Sequence, residues 1–302
     1  MDKNKKIMKT GLILIGVTLL LSICTSLFLR IKKPVFLNHY YEYQMYLQNE
    51  ENLFYSVGFN KPFILQYITN ASDDKYVIGI SFKEAPYLNV SASEYEPANF
   101  FSRMFYTPSR DNTLGTRIGT YSLHNIFLTI DVPIESASDQ LELSDVIIHF
   151  NNGEQMEVNI GKLILFKEKL PPRDYFELKT STSSLSGESN ITFKLLDDIR
   201  IQSIDSPILN KLNIYMYLTI NNKEYTSVIG KEYKKDDTLL ISNTLKSEVR
   251  SDFPLTRFEI CPKLYYQNSQ GNTYFERLNI IEDNYYDNPS FLDIIKYVKL
   301  NR

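Results

Sequence analysis

An all-β architecture tethered by one N-terminal transmembrane helix is the fold class that this 302-residue sequence predicts, and three observations carry it. A charge-free apolar run, Gly11 to Leu29, stands near the start. Short apolar or alternating runs then recur about every eight to twelve residues, separated by Asn, Asp, Gly and Ser, as strands and turns do. Helical periodicity is missing from the remainder until a short segment near Asn288. Together these predict a basic cytoplasmic tail at 1–10, a transmembrane signal anchor at 11–29, two tandem Ig-like β-sandwich domains at 35–169 and 173–302, and a short C-terminal helix. The cysteine pair around a buried Trp that marks immunoglobulin domains is absent, so "Ig-like" describes architecture only.

The anchor comes first. Nineteen helical residues rise about 28 Å, close to the roughly 30 Å hydrocarbon core of a bilayer. Lys3, Lys5, Lys6 and Lys9 precede the run and Arg30, Lys32 and Lys33 follow it, so both ends carry cations that reach lipid headgroups. A cleavable signal would show a shorter apolar region and a small-x-small site, and none follows Leu29. A lipobox would use Leu21-Ser-Ile-Cys24, with branched Ile23 where a small residue is expected. Retention in the membrane fits better than either. The four cations before the run and the short tail favour a cytoplasmic N-terminus, with the bulk of the chain extracytoplasmic.

From Pro34 onward the chain reads as strands. Val35 to Leu47 alternates with period two, its odd-numbered face directed inward. Phe63–Ile68 and Tyr76–Phe82 flank a polar turn, and Tyr87–Ser91, Phe100–Tyr106, Thr116–Tyr121 and Asn125–Val132 follow. Asp145–Phe150 and Gln155–Ile160 meet across Asn151-Asn-Gly-Glu154, where Asn152-Gly153 suits a tight turn with both residues at φ > 0. Lys162–Lys167 then runs to Pro171-Pro172, a natural boundary because neither residue donates a backbone hydrogen bond.

In the second half, Tyr175–Lys179 and Asn190–Leu195 flank a Ser/Thr-rich loop at Thr180–Ser189. Strands are expected at Ile199–Ile204, at Leu212–Ile220 paired with Glu224–Ile229 across Asn221-Asn-Lys223, and at Thr238–Ser242. Phe258–Ile260, Lys263–Tyr266 and Tyr274–Ile281 complete the set. The segment Asn288-Pro-Ser-Phe-Leu-Asp293 offers a cap, a proline at the first helical position and an acid in the first turn, so a helix follows.

Composition narrows the function. Excluding the seven cations and Asp2 of residues 1–33 leaves 26 basic against 35 acidic residues, which argues against nucleic acid or an anionic lipid surface as the principal partner. Cys261 is the only cysteine beyond the anchor, so no intramolecular disulfide forms there, and its setting before Pro262 reads as a buried thiol. Asn70, Asn89 and Asn190 begin Asn-x-Ser/Thr sequons. The 22 Tyr and 18 Phe raise glycan stacking as an option, weakened by the absence of Trp.

No catalytic, cofactor-binding or metal-binding residues are assigned. His39, His124 and His149 fall on three separate strand regions, unlike the clustered ligands of a zinc site. No G-x-S-x-G elbow occurs, Ser72-Asp-Asp-Lys75 lies in a hydrophilic turn, and Gly115-Thr-Arg-Ile-Gly119 lacks a following helix. Asp197-Asp198, Asp236-Asp237 and Glu282-Asp283 read as solvated turn acids, and only Glu282-Asp-Asn-Tyr-Tyr-Asp-Asn288 is kept as a candidate calcium loop. The expectation is a non-enzymatic, membrane-anchored interaction or assembly module, bound to the bilayer through residues 11–29 and to another membrane or cell-surface protein. A cell-wall or glycan-associated binding protein and a membrane-tethered hydrolase are the alternatives. The hydrolase requires a histidine brought within reach of a hydroxyl and a carboxylate.

Overall fold

A computed structural model describes residues 2–47, 54–58, 62–95, 115–167, 175–184, 188–213, 215–246, 255–278, 281–282 and 289–301. One long helix, α1 (Asp2–Leu29), leads into the first half. Its strands are β1 (Val35–Phe36), β2 (Asn38–Gln44), β3 (Tyr46–Leu47), β4 (Phe54–Val57), β5 (Phe63–Asn70), β6 (Val77–Phe82), β7 (Asn89–Ser93), β8 (Thr116–Ile118), β9 (Tyr121–Pro133), β10 (Gln140–Phe150) and β11 (Gln155–Phe166). The second half holds β12 (Phe176–Ser183), β13 (Glu188–Leu195), β14 (Ile199–Asp205), α2 (Leu209–Leu212), β15 (Met216–Ile220), β16 (Lys223–Glu224), β17 (Glu232–Tyr233), β18 (Thr238–Leu245), β19 (Thr256–Ile260), β20 (Lys263–Asn268), β21 (Thr273–Arg277), β22 (Ile281–Glu282) and α3 (Phe291–Leu300). The fold is therefore β-rich, with one N-terminal hydrophobic helix and several sheets. The expected strand at Phe100–Tyr106, the Pro171-Pro172 boundary and most of the acidic loop at 282–288 lie outside the described residues.

Four sheets organise these strands. A seven-stranded sheet runs β1-β5-β9-β4-β3, with β7 and β8 also paired to the long β9; a six-stranded sheet runs β22-β19-β2-β11-β10-β6. The two share one apolar cluster, in which Leu65, Ile126, Leu128 and Ile130 of the first meet Phe82, Val146, Ile148 and Leu163 of the second. A five-stranded sheet, β12-β13-β18-β15-β16, and a four-stranded sheet, β17-β14-β20-β21, share a second cluster through Phe193, Leu218, Ile241, Ile201 and Leu264.

The halves are joined by strand pairing. β19 lies parallel to β2, with Arg257 opposite His39 and Phe258 opposite Tyr40, and β2 is parallel to β11 on its other side. Residues of the second half thus extend a sheet of the first. Ile164, Phe258 and Ile260 face the second cluster, and Tyr40 packs against it. That explains β2: its odd-numbered Tyr41 is buried as the alternation predicts, yet even-numbered Glu42 is buried too, because both faces are covered. The predicted single strand 35–47 is in fact three, since β1 and β3 pair in one sheet and β2 in the other.

Several local expectations are corrected. At Asn152-Gly153 only Gly153 takes positive φ, and the loop closes with Gly153 N–H donating to Phe150 C=O at 3.0 Å and Phe150 N–H to Glu154 C=O at 3.0 Å. The turn with two residues at positive φ is Asn221-Asn222, between β15 and β16. The Ser/Thr segment expected as a loop supplies paired strand on both sides, from Thr180↔Thr192 to Ser183↔Ser189, as β-branched Thr favours. The strand expected at Leu212–Ile220 begins only at Met216, after the turn of helix α2; its expected partner pairs with it only at Lys223–Glu224, since Tyr225–Val228 is a 3-10 turn, and the longer partner of β15 is β18. The C-terminal helix is present, capped by Ser290 rather than Asn288, with Ser290 and Asp293 in a reciprocal capping box.

Candidate functional site at the end of the apolar helix

Ile7–Leu29 forms 23 residues of apolar helix whose described side chains are exposed up to Phe28, with Leu29 half-buried where the helix meets the fold. Thr18 Oγ1 donates to Leu14 C=O at 3.0 Å and Thr25 Oγ1 to Leu21 C=O at 2.7 Å, so these hydroxyls are satisfied within the helix itself. Beyond Leu29 the chain is held at once. Tyr121 donates its hydroxyl to Leu29 C=O at 2.6 Å, filling one of the carbonyls that a helix end leaves open. Asn70 then treats Ile31 as a strand partner, its Oδ1 accepting from Ile31 N–H at 2.9 Å and its Nδ2 donating to Ile31 C=O at 2.8 Å.

Apolar packing completes this clamp. Ile31 is buried in a third cluster with Val35, Leu37, Ile68, Tyr121 and Leu123, closed by Ile294, Tyr297 and Val298 of α3. The Tyr297 hydroxyl donates to Phe36 C=O at 3.1 Å and accepts from Asn38 N–H at 3.0 Å. Burial pushes its acidity well below that of a free phenol, so it stays protonated. Gly119, at φ 65°, lets the Phe291 ring approach where a Cβ would stand 2.6 Å from it. The sequon residue Asn70 is therefore occupied by the clamp, whereas Asn89 and Asn190 are exposed.

The histidines sit elsewhere. His124 Nδ1 lies 2.9 Å from Glu94 Oε2, and its Nε2 lies 3.0 Å from Thr69 Oγ1. Tyr67 stacks on the His124 ring at 4.6 Å and donates its hydroxyl to the same Glu94 carboxylate. Carboxylate, imidazole and hydroxyl in this order are the parts of an acyl-transfer triad. However, the His124 and Glu94 side chains are 3% and 1% exposed and Thr69 is 1% exposed. Thr69 and Glu94 escaped the sequence reading. The register Tyr67↔His124 follows once β5 and β9 are paired, but nothing local points to Glu94.

His39 belongs to a different network. Its Nε2 accepts from Gln66 N–H at 2.9 Å, while Gln66 Oε1 accepts from Arg257 Nε at 2.7 Å and Gln66 Nε2 donates to Asn125 Oδ1 at 2.7 Å. Burial, reinforced by the Arg257 charge, lowers His39 to about 3, so it is neutral. His149 is half-buried, 3.4 Å from Ser81 Oγ.

A third network crosses between the halves. Glu42 accepts from Ser206 Oγ and from Cys261 N–H, the latter at 2.8 Å, and burial raises its carboxyl above the usual range. Arg277 donates to Cys261 C=O at 2.6 Å with its guanidinium 3.6 Å over the Phe166 ring. Burial, with the Glu42 charge behind it, pushes the Cys261 thiol up to about 12, which leaves it unreactive. Tyr43 crosses the same seam, donating to Glu259 Oε2 at 2.7 Å.

The remaining candidates serve local structure. Asp198 accepts from Lys235 N–H at 2.8 Å and pairs with Lys234, and Asp236 pairs with Lys194 at 2.7 Å. Gly115 and Gly119 flank β8, and Lys75 pairs with Glu154 on the surface. Among the described residues, no three His, Cys, Asp or Glu side chains are grouped to hold a metal ion.

No known family matches this chain, and no curated protein does. It is similar to solved structures of a protein of unknown function from Porphyromonas gingivalis W83 (10% identity, TM-score 0.23, covering 80% of this chain and 96% of that one) and of the D00-D0 domain of intimin (7%, TM-score 0.20, 84% and 100%). A third is a conserved domain protein from Bacillus anthracis (9%, TM-score 0.20, 78% and 89%). Function is therefore argued from the chain's own residues.

Proposed function

We propose that this chain is a single-pass membrane protein whose sheets form two Ig-like, sandwich-type units outside the cytoplasm, acting as a non-enzymatic interaction or assembly module. The observation that carries the reading is the 23-residue apolar helix, exposed along its described side chains up to Phe28, that passes into the fold through hydrogen bonds at Leu29 and Ile31. A helix so apolar and unburied is stable only in lipid, since water would face a continuous apolar surface. The clamp fixes the first half in one orientation at the membrane. That is what a presenting or assembling domain requires.

The test is topology. In native membranes the chain should resist alkaline carbonate extraction, and protease added from the extracytoplasmic side should digest the β-rich part while sparing the tail. Release by carbonate would sink the reading. The hydrolase alternative is favoured by the order Glu94, His124, Thr69, and opposed by the burial of all three. For glycan binding, the exposed tyrosines among the described residues, Tyr46, Tyr87, Tyr95 and Tyr217, occur on separate segments. They form no continuous stacking row along one strand.

A further inference from the structure

α3 buries Ile294, Tyr297 and Val298 beneath it, yet its outer side is not a typical solvated face. Leu292 and Leu300 are 67% and 73% exposed, and Lys296 and Lys299 are exposed between them. At about 100° per residue these four positions share roughly one quadrant of the helix. Asp293, the only acid on α3, is turned back to Ser290 by the capping box.

Both ends of α3 lie at the exit of α1. The Lys299 ammonium stands 5.2 Å over the Phe28 ring. At the other end, Phe291 is 6.0 Å from the ring of Tyr121, whose hydroxyl binds Leu29 C=O. The ten-residue helix therefore lies alongside the point where α1 leaves the lipid, and exposed Arg30, Lys32 and Lys33 adjoin it. Leucines flanked by lysines on one helix face form the pattern of an interfacial helix.

We propose that this face of α3 rests on the anionic phospholipid headgroups of the bilayer that holds α1, so that the C-terminal helix docks the first half onto the membrane surface; the inference rests on the anchoring reading above. Leu292 and Leu300 enter the headgroup boundary and Lys296 and Lys299 meet phosphate. Arg30, Lys32 and Lys33 continue the same cationic band. The excess of acid over the rest of the chain does not oppose this, because charges more than about 8 Å from the surface are screened at physiological salt.

The experiment uses the full chain with Leu300→Cys in a Cys24→Ser background, labelled with bimane, in vesicles of phosphatidylcholine with or without phosphatidylglycerol. Cys261, half-buried with its thiol pushed up to about 12, reacts slowly, and a chain carrying Cys24→Ser alone supplies the background to be subtracted. A headgroup-attached nitroxide lipid should quench the probe strongly when phosphatidylglycerol is present. Quenching should fall with added salt, and each of Lys296→Glu and Lys299→Glu should lower the docked-to-undocked ratio about fivefold or more. Absence of quenching in chains that still resist carbonate extraction overturns the proposal while leaving the anchor intact. Shielding that depends on protein-to-lipid ratio and not on phosphatidylglycerol assigns the face to a second copy and also overturns it. Release by carbonate overturns the anchor reading itself.

Discussion

Asn70 and Ile31, 39 residues apart, exchange two hydrogen bonds through one side-chain amide, at 2.9 and 2.8 Å. This pair converts the end of the apolar helix α1 into a fixed mount. Asn70→Ala removes both partners from a backbone unit whose side chain is buried, and an unpaired backbone group costs about 1–3 kcal/mol. The Ile31 amide should then exchange with deuterium at least tenfold faster, while amides of β10 and β11 keep their protection. Unchanged exchange at Ile31 would mean that packing alone holds the exit.

Two of the buried titrating groups, His39 and Glu42, set opposite pH slopes. His39 is depressed to about 3 from 6.5, so the stability that its neutral form supports is complete above pH 6.5 and is lost as pH falls towards 3. Its scale is on the order of a few kcal/mol. Denaturant midpoints of the wild type in detergent should fall below pH 6.5, and His39→Gln should flatten that limb. A limb of the same slope in the variant would assign it to other groups.

Glu42 works in the other direction. Its folded carboxyl is raised above the ordinary 4.5, so the native state holds a proton that the unfolded chain has released, and stability falls as pH rises from about 4.5 to the folded value. Glu42→Gln keeps an acceptor for Cys261 N–H and a partner for Ser206 without a buried charge. At pH 7 it should be more stable than wild type by about 1 kcal/mol or more, since burial outweighs the nearby Arg277 charge and the two hydrogen bonds and disfavours the carboxylate. Destabilisation at that pH would indicate that the ionised carboxylate is needed at the seam.

The Glu94, His124 and Thr69 arrangement makes a prediction about chemistry. A triad works only when substrate reaches its hydroxyl, and Thr69 is buried in a paired strand. Fluorophosphonate probes should therefore leave the chain unlabelled. His124→Ala should destabilise it by about 3–5 kcal/mol, because it strips a partner from buried Glu94. Labelling at Thr69, lost in His124→Ala, would restore the hydrolase reading.

How much of this was legible follows from interaction range. The N-terminal apolar helix, the strand pair around Asn151–Glu154 and the helix at Phe291–Leu300 rest on local pattern, and each is present. The parallel pairing of β19 with β2 joins residues more than 200 positions apart, and alternation carries no signal for it. Glu42 shows the consequence. A strand read as half-buried held a carboxylate on its outer face, and only the covering second half makes that position interior. Likewise His124 was legible as a strand histidine, but its partner Glu94 lies just after β7, brought there by pairing with β9.

Gly119 and Phe291 supply the last prediction. Gly119 sits at φ 65°, and a Cβ there would meet the Phe291 ring at 2.6 Å. Gly119→Ala thus incurs backbone strain of about 1–2 kcal/mol and a clash at the base of α3. If the ring is the obstacle, Phe291→Leu should recover part of the loss in the double variant, so the two substitutions will be non-additive. If only the backbone matters, their effects will simply add. Thermal melts of the four proteins in one detergent decide between these. Because Phe291 also approaches Tyr121, which holds Leu29 C=O, the single variant should further raise protease cutting at Arg30 to Lys33. Cutting there that matched the wild type would show that the end of α1 is held independently of how α3 is seated.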